Sequence, residues 1–84
     1  MRSNIRSTIL TALVEVLTED GIVVPTVTDE TVLLQTGLDS LGFAVLVTRL
    51  EEQLGFDPFT LMKDATYPKT FIEFVSLYQL YAPE

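Results

Sequence analysis

Phe43, Leu46, Val47, Leu50 and Leu54 recur at intervals of three and four residues, the spacing of a helix with one apolar face. No other segment of the chain is as clearly periodic, and its ends are marked. Asp39-Ser40 stands before it, and both residue types suit a helix N-terminus. Gly55 follows as a natural stop, and Pro58 then enforces a break. The spacing predicts a helix over residues 40–54. Such a helix must bury its stripe against other elements, so the fold is decided by what the flanking segments offer.

They offer more helix. In residues 3–17 the stripe Ile5, Ile9, Ala12, Leu13, Val16 has helical spacing, with Ser3 or Asn4 as cap and Gly21 closing the segment that includes Glu19 and Asp20. A short third helix is expected over residues 60–64. Thr70-Phe71-Ile72-Glu73 reads as a capping box opening a fourth helix, with Phe71, Phe74, Val75 and Tyr78 on its buried face and Pro83 at its end. Ile22-Val23-Val24-Pro25 has the composition of a strand, but it has no evident partner and Pro25 closes it. A long ordered loop over residues 17–39 is expected instead. Val24, Val27 or Leu33 would pin it, and Thr28-Asp29-Glu30-Thr31 would form one helical turn. The fold class is all-α: a small four-helix bundle, one domain over residues 1–84, with a long first connection and a short third helix.

Composition then removes whole classes of function. The 84 residues include no cysteine and no histidine, so a disulfide framework, a thiolate zinc site and the commonest catalytic base are all missing. Serine without a base is a poor nucleophile, and both lysines lie outside the helix of Ser40. The chain is therefore not expected to be an enzyme. The net charge is −7, and the basic residues Arg2, Arg6, Arg49, Lys63 and Lys69 are scattered, which argues against nucleic acid. Asp29, Glu30 and Asp39 read as solvated acids, not a metal site. Arg2 and Arg6 precede an apolar stretch, but Glu15 interrupts it and Glu19-Asp20 follows, unlike a signal peptide. No run is long enough to span a bilayer. The cytoplasm is the default compartment, and a monomer is expected.

Ser40 is the residue most open to chemistry done by another enzyme. At a helix start its hydroxyl is exposed and held in a reproducible position. The free amides of the first turn favour a phosphate there. Gly37 permits the tight approach to the helix, and Asp39 offers a carboxylate to a metal ion or to a basic residue of a modifying enzyme. Taken alone, however, Asp-Ser before an apolar helix is also simply an N-cap.

The wider pattern favours more than a cap. Gly37-Leu38-Asp39-Ser40-Leu41, followed by Val45-Leu46-Val47 and Leu50-Glu51-Glu52-Gln53-Leu54-Gly55, resembles the acyl carrier protein family over nearly the whole chain. The resemblance implies that Ser40 takes 4′-phosphopantetheine from coenzyme A, delivered by a phosphopantetheinyl transferase that uses Mg²⁺. The thiol of that arm would carry an acyl group as a thioester between loading and downstream biosynthetic enzymes. An aminoacyl or peptidyl carrier of the same architecture, or an unmodified carrier-like subunit, is the alternative. Leu41, Val45, Arg49, Glu51 and Glu52 form the expected partner face on the second helix. Gly42 and Val45 stand where fatty-acid carriers often have acids, which points to a specialised lipid, polyketide or related pathway. Phe56, Phe59, Phe71, Phe74 and Tyr78 read as core, with some of them available to line a cleft for an attached chain.

Overall fold

The computed structural model describes residues 5–62 and 67–83. Among them are four α-helices: α1 (Ile5–Glu19), α2 (Ser40–Leu54), α3 (Pro58–Leu61) and α4 (Phe71–Tyr81). No strand occurs among the described residues, so Ile22 to Pro25 runs as loop. The expected caps Ser3 and Asn4 lie outside the described residues, as does the expected end of the third helix at Asp64.

The stripes meet in one core. Ile9, Leu13 and Leu17 of α1, Leu46 and Leu50 of α2, and Phe71, Phe74, Val75 and Tyr78 of α4 are buried together with Leu33 and Leu38 from the connection. Phe43, Val47 and Leu54 pack against this cluster from its margin, half-buried. The apolar surface these side chains withdraw from water is the main stabilising term for so small a domain.

Two boundaries differ from expectation. The third helix begins at Pro58, because Asp57 caps it through the Phe59 amide at 2.9 Å and proline suits the first helical position. Pro58 therefore starts an element where a break was expected. In the long connection, Thr28 to Thr31 forms a tight turn closed by the Thr31 amide on the Thr28 carbonyl at 3.1 Å. The helical turn comes later, as a 3-10 helix at Leu33–Thr36.

That connection is tied to the start of α4 by backbone. The Leu33 amide donates to the Lys69 carbonyl (2.9 Å), the Phe71 amide to Thr31 (2.8 Å) and the Ile72 amide to Asp29 (3.0 Å). Leu33 is the fully buried pin, while Val24 and Val27 are half-buried. Arg6 reaches Asp29 at 2.6 Å and lies over the Phe71 ring at 5.0 Å, so α1, loop and α4 meet at one corner. The capping box at Thr70 and Glu73 is formed, with both the hydroxyl and the carboxylate accepting from backbone amides. The two amides of Lys69 and Thr70 hold the Glu73 carboxyl below its ordinary range.

Candidate functional site

The site is built where the long connection turns into α2. Gly37 has φ +102°, a backbone shape that glycine adopts without strain, and a Cβ there would stand 3.0 Å from Ile22 Cγ2. Leu38 is then buried as an anchor. Asp39 is extended and caps the helix: its Oδ1 accepts the Gly42 amide at 2.7 Å. Ser40 is the first residue of α2. It is exposed, and its hydroxyl has no hydrogen-bond partner among the described residues.

The two adjacent residues thus divide the work. Asp39 is the cap, and Ser40 is left with a free oxygen at the positive end of a 15-residue helix. Gly42 is buried beneath them, where a Cβ would come within 2.9 Å of Leu38 Cδ1 and 3.2 Å of Asp39 Oδ1. A side chain at position 42 would therefore require the end of the Leu38 side chain to shift.

Beside Ser40 lies an open apolar groove of about 440 Å³, lined by Leu33, Leu34, Phe43, Ala44, Tyr67 and Pro68. Leu34 is 65 % exposed and Tyr67 67 %. In the sequence Leu33 reads as a pin and Phe43 as part of a core stripe, and nothing there brings these six residues together. The signal available was the Leu33-Leu34 pair: in a short turn only one of two adjacent leucines can face the core.

On the outer side of α2, Leu41 is 74 % exposed and Val45 39 %. Val45, Arg49 and Glu52 come together around one shallow depression with Ala44 and Thr48. Glu51 is exposed but lies outside that set, and its charge is felt by Tyr78 on α4. Arg49 also reaches back to α1, where its guanidinium meets both oxygens of Glu19 at 3.0 and 2.9 Å and approaches Glu15 at 3.8 Å. The hydrogen bond from Arg49, aided by its charge, holds the Glu19 carboxyl below the usual range. Arg49 therefore fixes α2 against α1 while bordering the outer face.

The acids considered for metal binding do not gather. Asp29 pairs with Arg6, Asp39 caps α2, and among the described residues no group of three or more potential ligands is present. Nor is any described helix long and apolar enough to cross a membrane.

A phosphate ester on an exposed serine needs a free hydroxyl, a favourable local field and space for what hangs from the phosphate. Ser40 has the first, the N-terminus of α2 supplies the second and the adjoining groove the third. Comparison with known proteins bears on the same region. A search of the curated proteins and a search of the solved structures returned no significant match. The family model described as phosphopantetheine attachment site matches residues 7–66, well over half of the chain and including most of α1 and all of the long connection, α2 and α3. The chain therefore belongs to the phosphopantetheine attachment-site family: it is an acyl-carrier-type domain whose prosthetic group is covalent 4′-phosphopantetheine.

Proposed function

We propose that Ser40 is the attachment point of the arm, and that the loaded protein shuttles acyl groups as thioesters between enzymes of a specialised lipid, polyketide or related biosynthetic pathway. One observation carries the reading: the Ser40 hydroxyl is exposed at the start of α2 and has no partner among the described residues, while its neighbour Asp39 does the capping. The arm, once bound, supplies the thiol that a chain without cysteine lacks. In the loading step the Ser40 oxygen attacks the β-phosphorus of coenzyme A and loses its proton. The pyrophosphate bond breaks and adenosine 3′,5′-bisphosphate leaves. The Asp39 carboxylate stands next in the chain, where it can meet the transferase's Mg²⁺ or a basic residue.

Partner enzymes would dock on Leu41 and Val45 near Ser40, with Arg49, Glu51 and Glu52 giving polar contacts further along α2. The apolar Val45 and the closely packed Gly42 support a dedicated pathway over a housekeeping fatty-acid role, since neither position offers an acid to a basic partner.

The test is to treat the protein with coenzyme A, Mg²⁺ and a broad-specificity phosphopantetheinyl transferase, then to fragment it. The added group is expected on Ser40. Its appearance on Ser7 or Ser76 would overturn the assignment.

A further inference from the structure

The groove beside Ser40 ends against aromatic rings. Phe43 and Tyr67, which line it, have ring centroids 6.1 Å apart, and they meet Phe59 at 5.8 and 5.9 Å. Behind them Phe74 stands 5.6 Å from Phe43 and 6.4 Å from Phe59, and it meets Tyr78 at 5.1 Å. Phe74 and Tyr78 have no exposed surface. Rings in mutual contact at these separations leave no channel for an alkyl chain to thread between them.

The groove itself is not small. Its 440 Å³ is roughly three times the ~150 Å³ of a cavity that holds one benzene. It is open to solvent, however, and to go deeper a chain would have to move Phe43 or Phe59. Each methylene taken out of water favours burial by about fourfold. Displacing a packed phenyl ring exposes its faces and leaves a void, a loss equivalent to several methylenes.

Building on the assignment of the arm to Ser40, we infer that Phe43 and Phe59 form an aromatic partition that sets the depth to which cargo can be housed. The groove takes the arm and a short acyl group. A long saturated chain is not drawn into the bundle. Phe43 and Phe59 are thus specificity-determining residues, and the cargo they fit is a short acyl group or one polar enough to remain in water.

The experiment loads the full chain from acetyl-, octanoyl- and dodecanoyl-coenzyme A with the transferase, and intact mass verifies each product. Thioester cleavage by hydroxylamine is then timed, each rate divided by that of the free acyl-coenzyme A of the same length. The wild type is expected to give rates within about twofold across the series, less than one buried methylene would produce. Phe59→Ala is expected to slow dodecanoyl cleavage about fifteenfold relative to acetyl, as burial of two methylenes would. A wild-type protein that itself protects dodecanoyl tenfold would overturn the inference. So would folded Phe59→Ala and Phe59→Leu proteins that show no dependence on chain length. Should Phe59→Ala fail to fold, the wild-type series and Phe59→Leu still decide. Absence of loading would remove the Ser40 assignment and this inference together, whereas loading followed by deep protection in the wild type removes the inference alone.

Discussion

Tyr78 offers a test of how the core is satisfied. The residue is fully buried, its ring meets Phe74 at 5.1 Å and Phe56 at 5.8 Å, and its hydroxyl has no hydrogen-bond partner among the described residues. A buried hydroxyl left without a partner costs about 1–3 kcal/mol. Tyr78→Phe keeps the ring contacts and removes the orphan oxygen, so the variant should be more stable by about 1 kcal/mol once the small void it leaves is allowed for. In a domain of this size that corresponds to a rise in Tm of about 4–8 °C. Thermal and urea unfolding of the two proteins, followed by circular dichroism, measures it.

A second arm follows from ionisation. Burial pushes the Tyr78 hydroxyl well above its ordinary range, and the charges of Asp57 and Glu51 add to this. In the unfolded chain the group ionises near its ordinary value of ~10. Between that point and the folded value, the native state holds a proton that the unfolded state has lost. The neutral-tyrosine contribution is thus complete below pH ~10 and is lost as pH rises above it. The wild type should weaken more steeply there than Tyr78→Phe. A variant less stable than wild type by about 1 kcal/mol or more would refute the reasoning and show that the hydroxyl is bonded, and an alkaline slope equal to that of wild type would show that the hydroxyl ionises in the folded state as it does in the unfolded chain.

Three further outcomes are expected. Asp39→Ala should destabilise the protein by about 1 kcal/mol through loss of the cap, while Asp39→Asn should keep the fold, so slower transferase loading in the asparagine variant would isolate the role of the charge; equal loading would remove that role. Thr70→Ala should cost about 0.5–2 kcal/mol in urea unfolding. Because Glu73 has a lowered pKa, the capping-box contribution is present above the ordinary glutamate pKa and declines as pH falls through the folded value, and an acid limb unaffected by Glu73→Gln would contradict this. Leu41→Asp, at a position 74 % exposed, should leave stability within about 0.5 kcal/mol but slow acyl transfer from a cognate partner enzyme, and unchanged transfer would move the docking face elsewhere.

What could be read in advance, and what could not, follows from the range of the interactions. The stripes of α1, α2 and α4 are local periodicities, and the caps at Asp39 and Thr70 are local chemistry, so those helices were legible to within two residues at the ends that lie among the described residues. The path of the long connection was not. Its bonds to Lys69, Phe71 and Ile72 join backbone groups some forty residues apart, and main-chain pairing leaves little trace in side-chain identity. The start of α3 was misplaced because Pro58 reads equally as a breaker or as a first helical residue, and the choice rests on the Asp57 cap. Ser40 was visible from its motif. The groove beside it, assembled from the connection, α2 and the approach to α4, was not. The dual placement of Arg49 was likewise hidden, since its partners Glu15 and Glu19 lie on another helix.

The central claim is that Ser40 carries the arm. Intact mass of the wild type and of Ser40→Ala, after incubation with coenzyme A, Mg²⁺ and a phosphopantetheinyl transferase, tests it most directly. The account predicts one added phosphopantetheinyl group on the wild type and none on a Ser40→Ala protein that is equally well folded. Equal gain in both proteins would contradict it.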